Sequence, residues 1–431
     1  MLKRITALIA ALGCAFALGK SCFAWTDGYD REDYDYAYGS GYYQGEETYK
    51  GYPYIDGDFI FDVTDSSASL KRYTGSDTRV EIPETVMNKE VKKICTSAFY
   101  GNTDAAEIVI PDSVHLIEEA AFMYCKGLVK INIPETVIQL PNKVFFGCDS
   151  LEYVDTTASF FKIGEDAFAG CEALKEIYLR AGLAEIDTGA FRACGSLKEV
   201  SFPESLEIIG EDAFLSCTAL ERVEFEGRLK TIEANAFRDC SSLKEITLPD
   251  SMEKIGICAF SYCTDLTDAR LPKETKELGE DVFYGCESLE SVTLPENITV
   301  IPTGIFSGCE SLKSIEIPEG VTFISEAAFH GCYSLEEAVI PDSVTYIAYG
   351  SFSKSENPSL TIKCSYDSYA RSYAQQRRIP FAIINSEGVQ QGWIAAMAVI
   401  WGAAALICLT LIILAAKKGK QDRSQRKTEK T

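Results

Sequence analysis

The chain is 431 residues long, 46% hydrophobic and 24% charged, and its 64 acidic side chains outnumber 41 basic ones to give a formal net charge of −23. A surface of that sign repels nucleic acid and anionic lipid, which argues against nucleic-acid partners and favours cationic or neutral ones. Two histidines are too few to build a histidine-based metal centre or catalytic triad with ease.

In chain order, Lys3 and Arg4 precede an apolar run from Ile5 to Gly19, and Cys22 and Ala24 put small residues before a cleavage point. Residues 1–24 therefore read as a secretory signal peptide. Residues 25–56 hold nine tyrosines, many acids and several glycines with few aliphatic side chains, so they cannot build a core and read as a disordered acidic arm. Residues 57–93 read as an N-terminal cap, with a hairpin over Gly57–Tyr73 and an insertion around Val86–Glu90.

Residues 94–361 repeat with a period of 23. Twelve phenylalanines keep that spacing without slip: Phe99, Phe122, Phe145, Phe168, Phe191, Phe214, Phe237, Phe260, Phe283, Phe306, Phe329 and Phe352. Five residues before each Phe stands Ile or Leu, three after it Cys in ten consecutive units from Cys125 to Cys332, and six after it Leu from Leu128 to Leu335. A fixed period of this length marks stacked units that cannot bury their apolar side chains singly. Alternation around the ninth and eleventh residues after Phe predicts a short strand, as at Lys244–Leu248, which Pro249 ends because proline cannot donate to a ladder. A second short extended piece is expected at Lys254 and Ile255, followed by a tight 3₁₀ or helical turn carrying Ala259 and Phe260. Strands in register sit roughly 4.8 Å apart, so about twelve rungs would make a body roughly 60 Å long.

Residues 362–385 read as a C-terminal cap, with Tyr366, Tyr369, Ala370, Tyr373 and Ala374 at helical spacing behind a Ser cap and a closing strand over Ile379–Ile384. After a linker, 386–392, the run Trp393–Ala416 carries no charge and is long enough to cross a bilayer. The basic tail 417–431, from Lys417 to Lys430, argues for a cytoplasmic end. These segments predict a single-pass type I membrane protein with its repeats outside the cell.

The units Ala236-Phe237 to Cys240 and Cys240 to Pro249 resemble the Ala-Phe-x-x-Cys and Cys-x-x-Leu-x-x-Ile-x-Leu-Pro segments of BspA-like, treponemal-type leucine-rich repeats. The resemblance covers roughly residues 57–384 and implies a leucine-rich-repeat solenoid of short parallel strands. It differs from the commoner leucine-rich repeat in having Ser, Thr or Gly, as at Ser113, Thr136, Ser251 and Gly320, where an Asn is usual. That family includes surface adhesins and binders of host proteins.

The ten column cysteines read as free buried thiols rather than disulfides, since each rung presents its thiol in the same direction at an apolar position. No catalytic constellation or cofactor motif is apparent: His115 and His330 stand far apart at variable positions. No enzyme activity, metal, cofactor or small-molecule substrate is expected. The candidate binding face is the outward side of the main strand, the eighth and tenth residues after each Phe. There Tyr153, Tyr178, Arg222 and Arg270 are the candidate partner-binding residues, because aromatics and Arg are enriched at hot spots. The leading expectation is a cell-surface binding protein or adhesin recognising an extracellular protein or glycan. The other is a structural or signalling scaffold within the cell's own envelope.

Overall fold

A strand only three or four residues long is worth little alone; it persists when identical strands stack above and below it. The computed structural model describes residues 52–352 and 359–384 and shows a β-solenoid of about 13 turns with the 23-residue period. Each complete turn contributes a short strand to a second ladder, and every turn but the one holding 175–181 contributes a strand to a main ladder. Partners differ by one period in both, as Tyr153 pairs Lys130 in the main ladder and Lys162 pairs Glu185 in the second. The strand expected at Lys244–Leu248 spans Glu245–Thr247, and the second piece is Lys254–Ile255.

The inward columns form one continuous core. All twelve Phe rings are buried. Neighbouring rings stack with centroids between 4.7 and 5.8 Å apart. At its N-terminal end the column gains Tyr73, 5.2 Å from Phe99, which accounts for the turn beyond the twelve expected from Phe alone. At the other end Tyr373 meets Phe352 edge-on at 6.3 Å.

The tight turn carrying Phe is hydrogen-bonded but does not become a helix. Residues two before and two after Phe take left-handed φ in most turns, as at Cys258 (54°) and Tyr262 (60°), and a helix cannot propagate through such residues. Most of these positions are not glycine, so the signal is faint in the sequence.

The cysteine column does more than fill space. Each of its ten thiols is free and buried and donates to the Phe carbonyl of the preceding turn, from Cys125 Sγ to Phe99 O (3.1 Å) through Cys332 Sγ to Phe306 O (3.2 Å). Burial pushes the thiols from Cys148 to Cys332 up, to about 12 at Cys217, Cys286 and Cys332.

Prolines interrupt the second ladder. Four residues before Phe, a backbone N–H elsewhere donates to the turn below, as Gly164 N does to Leu140 O and Gly279 N to Ile255 O. Pro141 and Pro302 occupy that place and have no N–H to give. The sheet breaks at both, ending with Leu116–Ile117 and Glu277–Leu278 and resuming at Gln139–Leu140 and Val300–Ile301.

The N-terminal cap is a three-stranded antiparallel unit, Tyr52–Asp56, Phe59–Val63 and Ala68–Tyr73, whose last strand joins the second ladder through Lys89–Ile94. The insertion is a hairpin pairing Thr85–Val86 with Lys89–Ile94, turned by Met87 and Asn88 at positive φ. The C-terminal cap is the helix Tyr369–Arg377, N-capped by Ser368, then the strand Phe381–Ile383 beside Thr361–Cys364.

One part of the expected fold is corrected. Among the described residues no helix is long and apolar enough to cross a membrane; the cap helix has nine residues. The described residues form the solenoid and its caps, and Trp393–Ala416 lies outside them. So do the signal segment 1–24, the arm as far as residue 51, and the basic tail.

Two predictions follow from the core. Phe237→Ala should cost on the order of 3–5 kcal/mol, because a cavity opens between two stacked rings, and chemical denaturation followed by circular dichroism measures it. An unchanged midpoint would overturn the stacking. In native protein at pH 8 the ten column thiols should resist a thiol reagent and react only in denaturant, read by mass spectrometry.

Candidate binding face

Strand alternation sends the ninth and eleventh residues after Phe inward and the eighth and tenth outward. Register holds the outward residues in two columns. Tyr153 lies level with Lys130 and Arg222 with Glu199 in one; Arg270 lies level with Thr247 and Thr293 in the other.

Tyr153 is 39% exposed on the strand Tyr153–Thr156, and Lys175 of the next turn holds Nζ 5.3 Å from its ring centroid. That lysine is steered by Glu152 at 2.5 Å. Tyr178 is 60% exposed and donates its hydroxyl to Glu176 at 3.0 Å, which raises its pKa. Its segment, 175–181, is not in a strand. Arg222 Nη1 stands 3.5 Å from Glu224 Oε1, and Arg270 Nε 3.2 Å from Asp268 Oδ2. The four residues do not form one cluster. They are spread over the six turns from Phe145 to Phe260, each beside an acid or base on the same face.

These pairs are exposed and contribute little to folding, so they can be exchanged for a partner's groups at small cost. Among the described residues no group of His, Cys, Asp and Glu could hold a metal ion. The seventh residue after Phe, not singled out in the sequence, adds a rail of ion pairs along the ladder's edge: Glu152–Lys175, Glu221–Lys244 and Glu290–Lys313, each 2.5 Å. Its signal was charge of alternating sign at the repeat spacing.

The left-handed positions two before Phe carry a second set of acids. Asp166 is buried and accepts from Arg192 Nη2 at 2.9 Å. Asp212 has one carboxylate oxygen buried without a hydrogen-bond partner among the described residues. Burial raises the pKa of both, as it does that of Asp281, against the opposing pull of nearby Arg side chains on the first two.

Residues 92–221 and 230–359, more than half of the chain, match the family model described as BspA type Leucine rich repeat region, in six copies. Among solved structures, a leucine-rich repeat protein from Bacteroides ovatus ATCC 8483 is 26% identical with a TM-score of 0.54, covering 78% of this chain and 100% of its own. A leucine-rich cell surface protein from Faecalibacterium prausnitzii A2-165 is 26% identical with a TM-score of 0.42, over 75% of this chain and 97% of its own. The pneumococcal vaccine antigen PcpA is 18% identical with a TM-score of 0.45, over 78% and 99%. No curated protein matches the chain.

Because the folded pKa of Asp212 is raised, the fold prefers its neutral form: that stabilisation is present at low pH and lost as pH rises through the folded value. Asp212→Asn, which keeps the shape and tolerates left-handed φ, should raise the melting temperature at pH 7. The gain should vanish as pH approaches the ordinary carboxylate value of 3.8. Equal melting temperatures at pH 7 would contradict the burial argument.

Proposed function

The chain belongs to the BspA-type leucine-rich repeat family, and from that membership we propose that it is an exported cell-surface binding protein, an adhesin that presents its main ladder to a protein or glycan outside the cell. One observation carries the reading. The inward columns are nearly invariant from turn to turn, whereas the outward columns vary: the eighth residue after Phe ranges over Glu, Lys, Tyr, Arg, Asp and Ser, and the tenth changes at every step. A rigid frame with varied exposed positions is what a recognition surface uses. Export is supported by the signal-like sequence of residues 1–24. The face offers paired acids and bases and two exposed tyrosines but no assembled nucleophile and base, which suits binding and not catalysis. A scaffold within the cell's own envelope would use the same face, and crosslinking in intact cells separates the two by whether the captured partners are foreign or native to that cell.

The test is a binding screen of the purified protein against host cells, matrix proteins and glycan arrays, followed by Tyr178→Ala and Arg222→Ala on whatever ligand is found. Each substitution should weaken binding roughly tenfold or more if it removes a hot spot, while Thr293→Ala should change little. An empty screen, or variants that bind as the parent does, would remove the support.

A further inference from the structure

The outward residues of the second ladder change character partway along the molecule. In the turns leading to Phe214 through Phe283 that column reads Ile208, Thr231, Lys254 and Glu277, flanked by ion pairs in which Lys230 meets Glu207 at 2.8 Å, Lys254 meets Glu233 at 2.8 Å and Lys276 meets Glu253 at 3.0 Å. From Val300, where the ladder resumes, the same column reads Val300, Phe323 and Tyr346, and Tyr369 of the cap helix follows at the same spacing, at 40%, 38%, 46% and 39% exposure. Val300 and Tyr346 are in register on either side of Phe323. The Phe323 and Tyr346 rings stack at 5.0 Å, and Tyr369 continues the line 6.1 Å from Tyr346. A contiguous exposed apolar stripe on a soluble fold marks an interaction surface.

Three features say what would cover it. Two hydroxyls beside the stripe are committed within the fold: Thr322 Oγ1 donates to Thr299 O and Thr345 Oγ1 to Thr322 O, both at 3.2 Å. The Phe323 and Tyr346 rings, stacked 17° from parallel, cover each other's faces and leave their edges outward. A sugar, which stacks on open ring faces, is therefore poorly served, whereas aliphatic side chains are well served. The third feature is charge. Glu277, Glu280 and Glu326 are exposed around the stripe, and none has an ion-pair partner among the described residues, unlike the paired carboxylates of the preceding turns.

At the head of the stripe lies a trough of about 260 Å³ lined by Lys254, Gly256, Ile257, Glu277, Leu278 and Gly279. The two glycines sit so close to the preceding turn that a Cβ would lie 2.5 Å from its backbone, so no side chain fills the trough from there. Leu278, whose counterparts in other turns are fully buried, is partly exposed here, and Ile257 is 49% exposed. Because Pro302 follows, Leu278 O receives no backbone donor among the described residues. The trough thus combines an apolar floor with an unpaired carboxylate and an unused carbonyl, which suits the methylene stem and cationic head of a lysine or arginine.

We propose that this stripe and trough form a second docking surface, whose occupant is an extended, basic and apolar segment of another protein. Its aliphatic residues lie along Val300, Phe323, Tyr346 and Tyr369, and a lysine or arginine enters the trough against Glu277. A second copy of this chain is disfavoured as occupant, because the chain is strongly acidic as a whole and its stripe is rimmed by unpaired glutamates. The surface is separate from the main ladder, and its failure or success leaves the adhesin reading standing.

The probes are fluorescent ten-residue peptides alternating valine with threonine and carrying two arginines at one end, with controls in which glutamate replaces arginine or serine replaces valine. Anisotropy with the full chain should show binding of the first peptide only. Glu277→Gln with Glu326→Gln should weaken it at least tenfold, as should Phe323→Thr with Tyr346→Thr, while Tyr178→Ala leaves it unchanged. All the substituted residues are exposed, and an unaltered melting curve confirms that each variant is folded. The proposal is overturned by absence of binding, by equal binding of the glutamate control, or by indifference to either double substitution. It is equally overturned if a glycan array binds the parent but not Phe323→Thr with Tyr346→Thr, or if sedimentation shows a parent dimer that this variant abolishes.

Discussion

Everything in this molecule depends on a turn handing its hydrogen bonds to the turns on either side. The short strands satisfy their amides and carbonyls across a displacement of one period, and the same displacement brings each Phe ring onto the next and each cysteine thiol onto the Phe carbonyl below. A lone turn has none of these partners. Stability is therefore a property of neighbours, summed along one dimension, and the aromatic caps at Tyr73 and Tyr373 matter because they are where the summation stops.

Much of the inside was legible in the sequence, because a stacked core forces like residues onto like at a fixed interval. Phe237, Leu243 and Ile255 could be assigned inward from spacing alone, and the structure buries all three. The extra turn escaped notice because Tyr73 stands 26 residues before Phe99 and is not a phenylalanine. The left-handed turn positions were hidden because side chains as unlike as Lys143, Cys258 and Tyr262 adopt them, imposed by the stack and not by local preference. The prolines after strands were read as terminators, but Pro141 and Pro302 act differently, by leaving a carbonyl below them without its donor. The spanning helix expected from Trp393–Ala416 rested on composition alone, and no described helix provides one.

Of the candidate face, sequence could supply the columns and not the companions. That Tyr153, Tyr178, Arg222 and Arg270 are outward follows from alternation. That each is accompanied by an acid or a base follows from neighbours two residues or one turn away, whose side-chain geometry no pattern discloses. The second ladder was treated as frame, and its aromatic stripe was overlooked for a related reason. Phe323 and Tyr346 follow Ile208, Thr231, Lys254 and Glu277 in one column, and only the fold shows that the aromatic members stack on one another and stay exposed.

The identity of register from one turn to the next has an evolutionary consequence. Duplication or loss of one repeat in the coding sequence adds or removes a rung without altering what any remaining side chain rests on, because contacts reach only the adjacent turns. Such a chain can vary the reach of its surfaces by recombination, while point substitutions at outward positions change what those surfaces recognise. Length and recognition are then open to selection as separate traits.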